Sequence, residues 1–350
     1  MTDSNTADTA GETVPTSVSR VRLREVDLVT AIAIALVVLG HVVAREPPAN
    51  NEWYEDLKDG IYLFHMPLFM FCSGVVFQHT HRRLQSWAMW LAWSTSKVRR
   101  LAPGFVLLGV VITVGKVVAA EVVVVDNVET DIARGLAEVF IDPLKSAASS
   151  LWYIYVLVLF YVTVPLGLWA SRQQVRTVLA LGVVLHVIAL SWTLPTLFTV
   201  NRYFEYLLYF SLGMVLHGSY RLAVDWCRRH RVLLGGIFVA SFLVTSVLRD
   251  DVAKTIIGLA SLPAMFGLAS ALPGAARRPL FFVASYTFTI YLMNTLAIGV
   301  AKGAGLLVVS WDGSAFLVYF PILFVIGLLG PIVVYRVLLS RVPILRMIMR

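Results

Sequence analysis

Charged residues are scarce in this chain, because Asp, Glu, Lys and Arg make up 14% of its 350 residues and hydrophobic residues make up 58%. That composition leaves too little charge to cover the surface of a soluble globular protein, so this class is excluded. Cysteine is rare as well, with Cys72 and Cys227 far apart and without zinc spacing. We therefore expect neither a structural disulfide nor a metal site.

Several motifs of nucleotide-dependent proteins are also missing. The sequence contains no P-loop and no glycine-rich dinucleotide fingerprint. It shows no convincing internal repeat, which argues against a transporter built from two inverted halves.

The sequence does contain many apolar runs of about 17 to 25 residues, each long enough to cross a bilayer as a helix. Backbone groups in lipid must bond within their own segment, so these runs predict helices and not an open sheet. The expected fold is therefore an all-α, polytopic transmembrane helix bundle. Its ten predicted spans lie near residues 26–44, 60–78, 101–120, 150–170, 177–193, 203–218, 232–248, 254–272, 280–301 and 314–338.

The orientation follows from the basic residues of the loops. With a cytoplasmic N-terminus, 20 of the 29 Lys and Arg residues fall on the inner side, as the positive-inside rule requires. Both termini are then predicted to be cytoplasmic in a multi-pass protein of the cell's inner (plasma) membrane. The net charge of +8 is thus a sign of topology, and no nucleic-acid partner is expected.

The same reasoning divides the chain into three parts. Residues 1–19 are polar and predict a disordered cytoplasmic tail, residues 20–341 form one transmembrane domain, and residues 342–350 form a basic cytoplasmic C-terminal tail.

Two histidines lie inside predicted spans. His41 is near the end of the first span, and His65 is at a similar depth in the second. An ionisable side chain in hydrocarbon costs roughly 2.5 kcal/mol or more, so His41 is a candidate functional residue. Pro67 and the Ser73-Gly74 pair weaken the second span and favour a cleft there. The alternative is that His65 only bonds a neighbouring carbonyl and that Pro67 is an ordinary kink.

Other polar and aromatic residues are predicted at the level of His41. They are Glu205 near the outer end of the sixth span, Asn294 in the ninth, and Trp152 and Tyr155 at the start of the fourth. Together they could line an acceptor pocket, although Trp and Tyr are also the usual residues of a membrane interface. His186, in the middle of the fifth span, is predicted to be a satisfied core histidine.

On the inner side, residues 87–100 predict a helix that lies along the membrane before the third span. Lys97 and Arg100 would share one face of it and present two cations to an anionic ligand. Three further arginines add to this patch, namely Arg82, Arg83 and Arg99. The alternative is that these cations only follow the positive-inside rule and meet anionic headgroups.

Six segments, taken in order, carry a resemblance to a known family. They read DLVTAIAIALVVLGH, FHMPLFMFCSG, KVRRLAP, LWYIYVLVLFYV, YLLYFSLGMVL and TFTIYLMN, and they lie within roughly residues 25–300. In this respect the chain resembles the acyltransferase 3 family of integral membrane O-acyltransferases. The resemblance implies transfer of an acyl group, often acetyl, from cytoplasmic acyl-CoA to a sugar hydroxyl of an envelope glycan, glycolipid or secreted product.

By the same resemblance His41 is the catalytic histidine, and His65 belongs to the second motif. Lys97 and Arg100 match a basic pair that meets the donor's phosphates, with Arg82 and Arg99 beside them. A neutral imidazole can take the proton of a sugar hydroxyl as it attacks the thioester, or it can form a covalent acyl-histidine first. Two side chains are candidate oxyanion donors, Asn294 and Tyr291.

Two positions depart from the family pattern. Thr30 stands where the family usually has Arg or Lys, eleven residues before the histidine, and Asn294 stands where it often has a second histidine. Arg24 could replace the missing cation only by reaching up from the interface. The departure at Thr30 favours a competing function, a non-enzymatic carrier or flippase of a lipid-linked sugar or glycan. A structural anchor would leave His41 unexplained.

Overall fold

The computed structural model describes residues 22–43, 48–81, 83–121, 129–245 and 248–349, and this part of the chain contains helices and no strands. The all-α prediction is therefore confirmed for the described residues. The α-helices are α1 (Arg24–His41), α2 (Glu52–Tyr62), α3 (His65–Thr80), α4 (Trp87–Ala120), α5 (Ile132–Ile141), α6 (Trp152–Ala170), α7 (Val175–Ser191), α8 (Val200–His217), α9 (Tyr220–Arg229), α10 (Arg231–Thr245), α11 (Asp250–Ala271), α12 (Gly274–Ala284), α13 (Thr287–Leu306), α14 (Phe316–Val337) and α15 (Pro343–Ile348).

Five helical segments of the described chain are long and apolar enough to cross a membrane, and a sixth is possible if α12 and α13, bent by 76°, form one span. The five are Glu52–Thr80, Trp87–Ala120, Ser149–Ala170, Asp250–Ala271 and Gly313–Arg341. The other predicted spans fall on α1, α7, α8 and α10, which are shorter or carry several charges. A transmembrane bundle is thus supported, while the number ten and the side of the termini stay predictions.

The second predicted span is interrupted, but not at Pro67. Helix α2 ends at Tyr62 and α3 begins at His65, so the break lies at Leu63 and Phe64. Pro67 lies in the first turn of α3, where a missing N–H costs little because that group has no partner inside the helix. The interruption leaves His65 as the first residue of α3.

The prediction that Ser73 and Gly74 weaken the second span is wrong, because α3 runs unbroken through them to Thr80. Gly74 instead allows α3 to touch α8. A Cβ atom on Gly74 would lie 1.8 Å from the carbonyl oxygen of Phe210, and one on Gly213 would lie 2.1 Å from that of Phe71. Small residues at this crossing let the two backbones meet, as is typical of helix packing in membranes.

The expected helix along the membrane over residues 87–100 is not a separate element. These residues form the first part of α4, a single helix of 34 residues that Ser86 begins by accepting a hydrogen bond from the Met89 N–H. The local sequence favours helix on both sides of the expected boundary, and nothing in it ends the helix there. Lys97 and Arg100 therefore lie on the same helix as the third predicted span.

The end of the chain folds back onto the bundle. Helix α15 packs against α4, and the carbonyl of Met349 accepts a hydrogen bond of 2.8 Å from the Thr289 hydroxyl of α13. Met349 itself is 2% exposed. The segment predicted as a basic tail thus contributes a short helix that is fixed between α4 and α13.

Candidate active site

His41 is the last residue of α1, and its closest polar partner comes from α13. Its Nδ1 lies 2.7 Å from Oδ1 of Asn294, a side chain with no exposed surface. The amide nitrogen of Asn294 donates to the carbonyls of Ile290 at 3.0 Å and Tyr291 at 2.8 Å. Both amide hydrogens are used there, so the amide oxygen must face the imidazole and His41 donates from Nδ1. This network assigns the free lone pair of His41 to Nε2.

Two tyrosines fix the end of α1 that carries His41. The last carbonyls of a helix have no partner within it, and here the Tyr62 hydroxyl donates to Gly40 at 3.0 Å and the Tyr54 hydroxyl donates to Leu39 at 2.7 Å. A Cβ on Gly40 would lie 2.6 Å from the Tyr62 ring. The tyrosine ring therefore packs on the helix backbone directly beside the histidine.

His65 lies on the other side of Tyr62, with 5.1 Å between the two ring centroids. Its Nδ1 donates to the carbonyl of Ile61 at 2.8 Å, which leaves Nε2 with the lone pair in the neutral ring. His65 interacts electrostatically with both His41 and Lys254. The two predicted histidines therefore share one site.

A cluster of charges lies next to the histidines, where Glu205 of α8 bridges two cations. Arg202 donates to its carboxylate at 2.6 Å, and Lys254 of α11 makes a close ion pair with its other oxygen. All three side chains are largely covered, with exposed fractions of 32% for Arg202, 22% for Lys254 and 19% for Glu205. The Nε atom of Arg202 is buried without a hydrogen-bond partner among the described residues.

Two aromatic rings cover the cations of this cluster. Arg202 lies 5.4 Å from the ring centroid of Trp152, and Lys254 lies 5.4 Å from that of Tyr206. The two rings are themselves 5.3 Å apart. Trp152 is thus placed beside the arginine that pairs with Glu205. We call Arg202, Glu205, Lys254, Trp152 and Tyr206 the ionic cluster.

His186 has both ring nitrogens occupied, as predicted for a core histidine. Nδ1 bonds the carbonyl of Glu205 at 2.7 Å, and Nε2 bonds the Thr255 hydroxyl at 3.0 Å. It therefore holds α7 to α8 and α11 behind the ionic cluster.

Tyr155 and Tyr291 have other partners. The Tyr155 hydroxyl donates to the carbonyl of Phe140 at 3.0 Å, and its ring packs near Phe105 of α4. The Tyr291 hydroxyl donates to the carbonyl of Ser150 and accepts from the N–H of Tyr153. Tyr291 thus fixes the start of α6, and neither it nor Asn294 has a hydrogen left for an oxyanion.

A family model described as an acyltransferase domain, that of the acyltransferase 3 family, matches residues 23–336. The chain belongs to the acyltransferase 3 family. No curated protein and no solved structure matches the chain.

All the predicted site residues lie inside the acyltransferase 3 match, but the basic residues predicted to bind the donor have different surroundings. The ammonium group of Lys97 is 5.2 Å from the ring centroid of Trp93 and 5.5 Å from that of Tyr161. Burial lowers the pKa of nearby His81, and the charge of Lys97 adds to that effect. His81 therefore tends to stay neutral beside this cation.

The three arginines of the predicted donor site differ in their surroundings. Arg99 is exposed, Arg100 lines a cavity with the C-terminal segment, and Arg82 lies outside the described residues. No group of three or more His, Cys, Asp or Glu side chains in the described part of this acyltransferase 3 chain could hold a metal ion.

Lys254 was not predicted from the sequence, because it reaches the site from α11, a helix that no motif connects with α8. Arg202 could have been found, because its spacing of three residues from Glu205 puts both on one helix face.

Proposed function

We propose that this protein is a membrane O-acyltransferase that moves an acyl group, expected to be acetyl, from cytoplasmic acyl-CoA to a sugar hydroxyl of an envelope glycolipid or glycan. The family supports acyl transfer in general. The observation that carries the specific proposal is the hydrogen bond from His41 to Asn294, because it leaves Nε2 of a partly buried histidine available as a base.

The reaction then needs one base and one orienting group. Nε2 of His41 removes the hydroxyl proton while the sugar oxygen attacks the thioester carbonyl. A C–O bond forms, the C–S bond breaks, and the imidazolium returns the proton to the departing thiolate. The amide oxygen of Asn294 accepts a hydrogen bond from Nδ1 throughout, which holds the ring and stabilises its charged form, as the acidic member of a catalytic triad does.

The ionic cluster supports an acceptor site beside this base. Aromatic faces give apolar contact area, while charged side chains supply strong and directional hydrogen bonds. The cluster offers both kinds of group, and the unpartnered Nε–H of Arg202 is a donor that an acceptor oxygen could use. A small or membrane-tethered sugar acceptor suits such a largely covered position.

The donor is proposed to come from the opposite end of the bundle, which we call the basic end: the end where α1 and α13 begin and where α15 packs. This end is cytoplasmic if the positive-inside rule holds. It carries Arg100 on α4 and Arg346 on α15.

The proposal is tested by acyl transfer in membranes that contain the protein, with radiolabelled acetyl-CoA and a panel of envelope sugars. For His41→Ala we expect kcat to fall by a factor of about 10³, within the usual range for loss of a general base. The exposed His230 provides the matched control, and His230→Gln should transfer at the wild-type rate. Full activity in His41→Ala would refute the assigned role.

A carrier without acyl transfer is the second candidate, and the structure offers one observation in its favour. Arg24 lies 5.6 Å from the ring centroid of Phe281 at the start of α1, so it does not replace the cation missing at Thr30. Release of CoA that depends on the acceptor supports the enzyme, whereas none across the sugar panel supports the carrier.

A further inference from the structure

Three arginines from two distant parts of the chain line one open cavity at the basic end. The cavity has a volume of about 790 Å³. Its lining consists of Arg100, Ser340, Arg341, Pro343, Arg346 and Met347. We call it the arginine pocket.

A second cavity of about 520 Å³ adjoins the arginine pocket, since both include Ser340 and Arg346. It adds a fourth arginine, Arg336, and it reaches Thr289 of α13. Thr289 is five residues before Asn294, which is about 7.5 Å along a helix. The second cavity therefore lies on the basic side of the His41 and Asn294 pair.

The fold-back of the C-terminal segment is what brings these arginines together. The hydrogen bond from Thr289 to Met349 holds the segment on α13. On its other side, a Cβ on Gly104 of α4 would lie 3.3 Å from the carbonyl oxygen of Ile348. Arg341 and Arg346 are thereby placed opposite Arg100, although about 240 residues separate them in the sequence.

Within the described part of the chain, none of the three arginines of the pocket forms an ion pair: every ion pair found there uses other residues. Three guanidinium groups around one cavity repel one another, and a ligand with several negative charges removes that cost. The planar guanidinium fork matches phosphate oxygens in particular. The positive-inside rule accounts for basic residues at this end but not for their convergence on one cavity.

Two of the three arginines also lie outside the region shared with the family. The acyltransferase 3 match ends at residue 336, and Arg341 and Arg346 follow it. One wall of the pocket is thus supplied by residues that the family model does not include.

We propose that the arginine pocket binds the phosphate groups of the acyl donor, a thioester of the coenzyme A type with a diphosphate and a phosphate monoester. This inference rests on the proposed function. It adds Arg341 and Arg346 to Arg100 as donor-binding residues and makes the C-terminal segment part of the donor site.

The test uses the full-length protein in nanodiscs of neutral lipid and the double variant Arg341→Gln/Arg346→Gln. We expect the Kd for CoA and the KM for acetyl-CoA to rise at least about tenfold with kcat unchanged, because contacts made equally in ground and transition states change only binding. Removing the 3′-phosphate from CoA should weaken binding to the wild type more than to the variant. The KM for S-acetyl-N-acetylcysteamine, a thioester without phosphates, should not change.

The matched control removes the same charge elsewhere, in Arg229→Gln/Arg278→Gln, which should bind CoA like the wild type. Equal melting temperatures of both double variants show that the fold is retained, and Arg346→Lys should keep part of the affinity.

Unchanged CoA affinity in the Arg341→Gln/Arg346→Gln variant would overturn the inference. If the same variant keeps its CoA affinity but no longer binds phosphatidylglycerol in nanodiscs of mixed lipid, the pocket holds a lipid headgroup and not the donor. If the wild type binds CoA through these arginines but transfers no acyl group, the proposed function fails and the pocket stands.

Discussion

The charged side chains at the two ends of this bundle have different partners. At the histidine end, nearly every polar group around His41 has a partner within the protein: Asn294 holds the imidazole, and Glu205 pairs with two cations. At the basic end, Arg100, Arg341 and Arg346 surround an open cavity and form no ion pair with a described residue. A site that must orient a reacting group needs a fixed network, whereas a site that binds a polyanion needs cations left for the ligand.

The largest expected effect is a loss of stability on breaking the paired network at the histidine end. Lys254→Met removes one of the two cations of Glu205 and leaves the carboxylate paired with Arg202 alone. Removing one member of a buried ion pair typically costs about 3–5 kcal/mol, and because Arg202 stays we expect a loss at the low end, about 3 kcal/mol, in the free energy of unfolding. Thermal unfolding in nanodiscs measures it. Arg228→Met, which breaks the exposed ion pair of Arg228 with Asp225, is the control, and an equal loss there would show that the network is not special.

The next effect concerns the orientation of the base. Asn294→Leu keeps the volume but removes the oxygen that holds Nδ1 of His41, and kcat should fall at least about a hundredfold. Asn294→His restores the residue that the family often has at this position and should keep activity within about tenfold of the wild type. A pH profile of kcat separates this role from a packing role. The wild-type rate should fall at low pH as one group, His41, takes up a proton, and a changed profile in Asn294→Leu would show that Asn294 acts on the imidazole. Equal kcat values for wild type and Asn294→Leu would contradict it.

A smaller effect is expected at the end of α1. Tyr62→Phe removes the hydrogen bond to the carbonyl of Gly40 and leaves the ring in place. Loss of one such bond costs about 1 kcal/mol, so kcat should fall by about fivefold through a less rigid His41. Tyr319→Phe removes a tyrosine hydroxyl that bonds a carbonyl outside this site and serves as the control. If both variants react at the wild-type rate, the tyrosine does not position the histidine.

The smallest effect sharpens the comparison at the basic end, where two neighbouring arginines differ in position. Arg100 lines the arginine pocket and Arg99 does not. We expect Arg100→Gln to raise the KM for acetyl-CoA by about threefold and Arg99→Gln to leave it unchanged, since an exposed cation outside the pocket is screened by salt. Initial rates at several salt concentrations measure both. An equal rise in the two variants would mean that only the overall charge of this end matters.

The helical class could be predicted from the sequence because it depends on a local property, the long apolar runs. His41 could be selected as a candidate because it is an ionisable group within such a run, and its role stays a prediction. Asn294 was predicted at the level of His41, but as an oxyanion donor. Its direct hydrogen bond to the imidazole was not predicted, since 253 residues separate the two and only packing brings them together. Lys254 and the arginines of the C-terminal segment were missed for the same reason.

The errors have a different origin. A proline such as Pro67 can break a helix or stand in its first turn. A small pair such as Ser73-Gly74 can weaken a helix or allow a close contact with another helix. The sequence cannot choose between these uses, because the choice depends on which helix lies opposite. The continuous α4 was not predicted for a similar reason: the residues of a helix do not show locally where a part along the membrane surface ends and a spanning part begins.

The bend of 76° between α12 and α13 changes the distance over which a donor must deliver its acyl group. A straight span would put the middle of the helix about 15 Å from either surface of a hydrocarbon layer about 30 Å thick. Here α13 starts afresh at Thr287 beside an open cavity, and Asn294 follows seven residues later, about 10 Å along the axis. For the proposed transfer, the elbow would shorten the path from the cavity to Asn294.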